Sequence, residues 1–549
     1  MQKYIIGIDT GGTYTDAVLL ETPSAKIIAT AKVPTTHFDL AQGVGDALTK
    51  LLAASGAAVG EILSVCISST LATNSVVENK GARVAVLVIG YVRHFKLPVK
   101  AVIFVKGGHT IDGKEEQPLD IEYLVSLVEG LKNEVDAYAV CAAMSMKNPT
   151  HELVVEKAIG MRDPKPVFCS HRISTLTGMH ERAATAGLHA KLMPIMGAFI
   201  DGVTSAMEEL QLTCPAIVIG GNGRGLTTEK AIAEAGNTVA SGPACTAHFG
   251  GAQTKGNALV IDVGGTTTDI AMIEGGKPLL AGEGCRIGQW QTHVEAVDMH
   301  TAGIGGDSLV HVGEGGEMAI GPGRVTPLSM AGRGSMPPAL WLGVENQSRL
   351  IVLRPEAKTL MTPDNELTTL LLKNNQLTPA AIREQTGLGG IPLDVQLEHL
   401  TRRQWISECG FTPTDALHVL GRIKLGDPAA ALAGAEILGR AMGLNATDFA
   451  ELVLTRTEEL IENLIIDYVI QRSWQNSLAG FIAGRKNHPV LGVEFSIKIP
   501  LIGIGAAARF LLPRVAERLG TTVEFPPDCE VGNAIGAAMI GLADAYKTT

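Results

Sequence analysis

The sequence predicts an α/β protein. It reads as two related α/β domains with facing sheets, the second interrupted in the C-terminal half by a mainly helical insertion. Three observations carry this reading. First, one strand–turn–strand pattern occurs twice, as YIIGIDTGGTYTD over Tyr4 to Asp16 and as ALVIDVGGTTTD over Ala258 to Asp269. A repeated supersecondary unit is the signature of a duplicated architecture. Second, short β-branched runs alternate with helical patterns between the two copies. Third, strand signals fade from residue 364 to 474, where Ala, Leu, Glu and Arg recur at helical spacing. The expected division is therefore 1–240 for the N-terminal α/β domain and 241–363 for the first part of the second. The helical insertion follows over 364–474, and 475–549 completes the second domain.

The elements follow in order. Arg83 to Ile89 is a β-rich run, and Leu119 to Leu131 has helical spacing with Pro118 as a start signal. Ala137 to Ala142 is a buried-strand candidate. His180 to Leu210 reads as one long helix with Pro194 as a kink or break. Ala216 to Gly220 is a further strand, and the glycine-rich Gly313 to Gly334 reads as loop or short hairpins. Helices are expected over Thr378 to Gln385, Leu397 to Glu408, Ala429 to Met442 and Asp448 to Ser473. The α/β style returns at Pro489.

Composition bounds the function. The chain has 549 residues, 46% apolar and 18% charged, which is too apolar for a disordered protein. Its net charge of −11 argues against broad nucleic-acid binding, which needs a basic face. No unbroken apolar run reaches the roughly 18 residues that span a bilayer, and no signal peptide is evident, so the expected setting is cytoplasmic with no membrane partner. Eight cysteines lie far apart without a Cys-x-x-Cys pair, which reads as buried, reduced thiols.

The repeated turns carry the chemistry. Gly11 and Gly12 let backbone N–H groups approach a phosphate closely, and Thr13 and Thr15 add hydroxyl donors. Asp9, at the strand end, is placed to hold Mg²⁺ through water. Asp262, Gly264, Gly265, Thr266 and Thr268 supply the same set from the second copy. Two such turns from opposite domains would clamp one polyphosphate and leave its terminal phosphoryl group open to attack. A single aspartate of this kind is equally well read as a turn cap; the pair favours phosphate.

This pattern resembles the ATP-binding superfamily of sugar kinases, heat-shock chaperones and actin. Within it the chain resembles the hydantoinase A and oxoprolinase family. The blocks that carry the resemblance are Thr70 to Ala82, Ser145 to Glu152, His180 to Thr185, Ser241 to Ala244 and Asp298 to Ser308. His189 and Asp307 depart from that family's usual asparagine and glycine. The resemblance implies actin-type ATPase domains that bind ATP with Mg²⁺. It also implies an ATP-dependent hydrolase activity that activates the carbonyl of a cyclic amide (a hydantoin, 5-oxoproline or a lactam) for ring opening, shared with a B-type subunit. Gly305, Gly306 and Asp307 resemble the chaperones' phosphate-contacting loop, and Gly503 and Gly505 stand where the superfamily has its adenosine loop. Asn74, His109 and Glu181 are substrate-cleft candidates. His293, His300 and His311 invite a metal reading, but their spacing is not a ligand pattern. Two other readings remain open: a small-molecule kinase, and an ATPase module that remodels or reactivates a partner enzyme.

Overall fold

The computed structural model describes residues 3–12, 14–36, 40–77, 80–90, 93–173, 178–281, 284, 286–287, 290–313, 315–332, 336–338, 341–342, 347–355, 357–474, 478–485 and 492–545. The chain folds into two compact units. The first comprises Met1–Gly256, Ala271–Met299 and Val531–Thr549, and the second Asn257–Ile270 and His300–Glu530.

The first unit holds two larger sheets, besides the short pair Arg286–Ile287 and Trp290–Gln291. Strands β1 (Tyr4–Thr10), β2 (Tyr14–Glu21) and β3 (Lys26–Pro34) form an antiparallel meander. β4 (Ile62–Ser69) joins β1 in parallel. The smaller sheet is wholly parallel and consists of β5 (Val84–Ile89), β6 (Ala101–Val105), β7 (Ala137–Ala142) and β8 (Val167–Cys169), in the order β6-β5-β7-β8. β9 (Ala216–Ile219) and β10 (Gly225–Thr227) complete the larger sheet, whose order is β10-β9-β4-β1-β2-β3.

Period-two alternation explains how both sheets bury two faces. Ile6 and Ile8 of β1 point into a core with Val44, Leu48, Phe199 and Val203 from helices Leu40–Ser55 and Met179–Glu209. Gly7 between them faces the last helix, Gly532–Ala545, where an added Cβ would lie 2.0 Å from the Ala534 carbonyl oxygen. In β5, Ala85, Leu87 and Ile89 serve one core and Val84, Val86 and Val88 another. Helix Met179–Glu209 links the two sheets. Ala183, Ala186 and Ala190 pack on the smaller one, while Leu188, Leu192 and Met196 pack on the larger. Its length and composition alone would suffice to cross a membrane, but its most apolar stretch is 72% buried within the protein, as befits a core helix. Pro194 sits inside it without ending it.

In the second unit lies β11 (Ala258–Val263); β12 (Thr268–Glu274), which follows it, starts in that unit and has its last four residues in the first. Strand Leu501–Ile504 pairs with β11 in parallel, and Val523–Glu524 pairs with Leu501–Ile504. The glycine-rich stretch contains a true hairpin of Ser308–Val312 with Met318–Arg324. Helices Pro379–Thr386, Pro428–Ala441 and Ala446–Trp474 lie where helical spacing predicts them, and a further helix spans Gly390–Arg402. One expectation fails: Leu397 to Glu408 is not a single helix. It stops at Arg402, Gln404 takes φ 57°, and Ile406–Gly410 becomes a strand paired with Leu350–Leu353. The fold is thus α/β with several mixed sheets, strand structure included within 364–474.

Candidate functional site

The two hairpins close in the same way. In the first, the Gly11 N–H donates to the Tyr14 carbonyl at 3.1 Å, and in the second the Gly264 N–H donates to the Thr267 carbonyl at 3.0 Å. Each is a four-residue turn set directly after the strand that bears the aspartate. The repeat read from sequence is therefore a repeat of backbone geometry.

Asp9 is 5% exposed. Its Oδ1 accepts from Ser68 Oγ at 2.5 Å and its Oδ2 from Asn533 Nδ2 at 3.3 Å. Ser68 is the penultimate residue of β4, and Asn533 lies in the first turn of the last helix. Gly242, in the first turn of helix Ser241–Gly251, is packed so close that a Cβ there would stand 3.6 Å from Asp9 Oδ1. Burial pushes the Asp9 carboxyl up to about 6, and the Asp16 carboxylate across the hairpin adds to the effect. The Ser68 and Asn533 hydrogen bonds oppose it without overcoming it. Asp16 is raised by burial too, although Lys32 holds it at 2.9 Å.

Around the turn, Thr35 Oγ1 donates to the Gly11 carbonyl at 2.9 Å and shares a 3.3 Å hydrogen bond with Thr15 Oγ1. Thr15 is thus buried and occupied in holding the turn. Gly12 faces open space, with nothing within 4 Å of a Cβ placed there. Thr13 lies outside the described residues.

In the second hairpin, the Gly305-Gly306-Asp307 segment pairs with the turn backbone to backbone. The Gly306 N–H donates to Gly264 O at 2.9 Å and the Asp307 N–H to Gly265 O at 2.7 Å. Gly305 must be glycine, because a Cβ would come within 2.5 Å of Gly265 O. Thr268 Oγ1 donates to Ile304 O at 2.7 Å, tying the same segment to β12. Burial raises the Asp307 carboxyl against the opposing Arg324 at 3.5 Å. Thr266 sits in the turn itself. Asp269, the counterpart of Asp16, accepts from Thr301 Oγ1 at 2.5 Å and Thr267 Oγ1 at 3.3 Å. Asp262 ends β11 opposite Ile504, and Gly505, with φ 90°, leaves room for its carboxylate: a Cβ there would be 2.5 Å from Asp262 Oδ1. The space over Gly503 is filled by the Phe525 ring, 2.4 Å from a hypothetical Cβ.

The remaining candidates are dispersed. Asn74 is exposed on helix Leu71–Val77 and donates to Thr70 Oγ1 at 3.2 Å. His109 is buried after β6, and Glu181 is partly exposed in the first turn of helix Met179–Glu209. His293 meets Thr185 through its backbone, and His311 shares a hydrogen bond with Ser348. Among the described residues, the one cluster of metal-ligand type is Glu152, Cys169 and His171, which contains none of the three candidate histidines. Sequence reasoning missed Ser68, Asn533, Thr35 and Thr301.

The chain matches a family described as the hydantoinase/oxoprolinase N-terminal region over residues 5–161, and one described as hydantoinase/oxoprolinase over residues 182–546. It belongs to the hydantoinase/oxoprolinase family. Among curated relatives of the family, the caprolactamase subunit alpha of Pseudomonas jessenii is 28% identical over 362 residues, which is 58% of this chain and 50% of that one. The acetophenone carboxylase gamma subunit of Aromatoleum aromaticum is 26% identical, over 58% of this chain and 49% of that one. The chain thus spans about half the length of these relatives. Two solved structures share its fold. Nucleotide-free acetone carboxylase aligns with a TM-score of 0.66 at 17% identity, over 98% of this chain and 70% of that one. The ATP-dependent caprolactamase from Pseudomonas jessenii aligns with a TM-score of 0.65 at 21% identity, over 97% and 70%.

Proposed function

We propose that this chain is the nucleotide-using subunit of an ATP-dependent cyclic amide hydrolase, with actin-type ATPase domains, acting with a B-type subunit. The observation that carries the proposal is the twofold occurrence, in a member of this family, of a glycine turn closed by the same backbone hydrogen bond directly after an aspartate-bearing strand. The relatives from Pseudomonas jessenii and Aromatoleum aromaticum are enzyme subunits, which supports a partner for this chain as well.

The residues present fit MgATP. Asp9 is a buried carboxylate whose closest donors, Ser68 and Asn533, are neutral. A hard dication held through water would supply the missing charge. The open space over Gly12 admits a phosphate to the turn. In the first unit Asp9 would organise Mg²⁺ and its water beside the Gly11-Gly12 turn; in the second, Asp262 would do so beside the Gly264-Gly265 turn, where the Gly305-Gly306-Asp307 segment orients phosphate. Bound MgATP supplies a phosphoryl group to the amide carbonyl oxygen. Ser68 and Asn533 keep the Asp9 carboxylate fixed during that transfer, and the buried Thr15–Thr35 pair keeps the turn from yielding.

The test uses a lactam labelled with ¹⁸O at its carbonyl, MgATP, this chain and a B-type subunit. Transfer to the carbonyl oxygen carries the label into inorganic phosphate. Ring opening with all label retained in the product carboxylate would reject the proposal. ADP with a stable phosphorylated small molecule would instead identify a kinase, and ADP formed only with a protein partner and no small molecule a remodelling ATPase.

A further inference from the structure

The smaller sheet of the first unit carries more polar chemistry at its carboxyl edge than its fold requires. β5 lies between β6 and β7, so the chain leaves β5 toward one side and returns to the other. In open α/β sheets that divergence opens a crevice beyond the strand ends, where ligands bind. Ile89 and Ala142 end β5 and β7 in register.

Two blocks that the nucleotide chemistry leaves without a task, 145–152 and 180–185, converge at this edge. Glu152 is fully buried. Its Oε1 accepts from the Ala142 N–H at 2.8 Å and Ser170 Oγ at 2.6 Å, and its Oε2 from the His171 N–H at 2.9 Å and Nδ1 at 2.6 Å. Arg182, also fully buried, stands 3.7 Å from Glu152 Oε1 and donates through Nη2 to Ser145 and Ser170. Its Nε has no partner. Nor does Nδ1 of His109, which is 4% exposed and whose ring lies 4.2 Å from that of His151.

An arginine Nε–H can only donate, so what the site lacks is an acceptor. A buried donor left unmet is among the costlier defects a folded protein carries. With Nη2 already donating to Ser145 and Ser170, Nε–H is the part of the guanidinium left to meet a ligand oxygen. The occupant is not a cation. Although Glu152, Cys169 and His171 place their ligand atoms within 4.8 Å of one another, the Arg182 charge beside them repels a metal, and the Cys169 thiol donates to the Glu152 carbonyl.

We propose that the carboxyl edge of this sheet, at β5 and β7, is a second small-molecule site, for a ligand that presents a carboxylate or amide oxygen to Arg182 Nε. Glu152 positions Arg182 for that ligand rather than touching it.

Calorimetry on the nucleotide-free full chain, with 5-oxoproline, ε-caprolactam and inorganic phosphate as separate probes, tests this. Saturable binding of 5-oxoproline or ε-caprolactam is expected, about tenfold weaker in Arg182→Lys, which keeps the charge opposite Glu152 but not the Nε–H donor. His109→Phe, which keeps the ring stack and removes the nitrogens, should weaken it as well, and melting curves establish that each variant folds. Equal binding in wild type and both variants would overturn the proposal, as would binding of phosphate alone, no binding of any probe, or a crystal structure of probe-soaked protein with only a water on Nε. Because nucleotide is absent, failure here leaves the phosphoryl-transfer reading intact, and the reverse holds too.

Discussion

Replacing Asp9 by asparagine should make the apo protein more stable while abolishing the MgATP-dependent turnover proposed for it. The carboxyl titrates near 3.8 in the unfolded chain and at about 6 when folded, because burial disfavours its charge. The native state therefore holds the extra proton between those values, and stability is lost as pH rises from about 3.8 to about 6. A shift of that size is worth about 3 kcal/mol at neutral pH, at 1.36 kcal/mol per unit. Asparagine removes the buried charge but turns a donor toward Ser68 or Asn533, which are themselves donors to Asp9. That mismatch returns about 1–2 kcal/mol, so the net gain is about 1–2 kcal/mol. Urea denaturation of wild type and Asp9→Asn at pH 7.5 and pH 5 reads it directly. The variant should unfold at higher urea at pH 7.5, and its advantage should shrink at pH 5, where wild-type Asp9 is largely protonated. An Asp9→Asn protein less stable than wild type at pH 7.5, or one retaining normal ATP turnover, would refute the reasoning.

Three further outcomes are expected. Gly305→Ala forces a Cβ to 2.5 Å from Gly265 O and should break the hydrogen bonds at Gly306 and Asp307, costing about 2–3 kcal/mol; ATP titration should show at least tenfold weaker binding. His189 is buried, stacked on Phe168 and titrates at about 3, below its ordinary 6.5, because burial disfavours its charge. Its contribution to stability is therefore lost as pH falls from about 6.5 toward 3, so acid unfolding should shift to lower pH in His189→Leu. Asn533→Ala removes one of the two donors on Asp9 and should push that carboxyl further up, moving the acid limb of the ATPase pH profile to higher pH.

What the sequence made legible was what sequence-local forces decide. The two hairpins were legible because a Gly-Gly-Thr turn closes over four residues, and strand β5 because six consecutive apolar residues can only be buried on both faces. The strand Ile406–Gly410 was not. Ile-Ser-Glu-Cys-Gly is too short and too mixed to show a strand's period, and the pairing with Leu350–Leu353 decided it. Gly503 reads as a ligand-facing glycine until the Phe525 ring is seen above it. The two donors on Asp9 come from β4 and from the last helix, and no local pattern predicts a hydrogen bond across 524 positions. Likewise the buried Glu152–Arg182 pair required two blocks, each polar without an evident reason, to be brought to one strand edge.

The first unit begins near residue 1 and is completed by Val531–Thr549. A ribosome building this chain therefore releases β1 and β2 long before the helix that covers Gly7 and restrains Asp9 exists. Until Gly532–Ala545 emerges, one face of the larger sheet lacks its cover, and the narrow slot at Gly7 stands open. Maturation of the Asp9 pocket thus waits for a residue 524 positions further along the chain. The nascent protein passes through a long interval in which most of its folding is possible and its aspartate is not yet held, an interval in which a chaperone that shields apolar sheet faces would have a defined target.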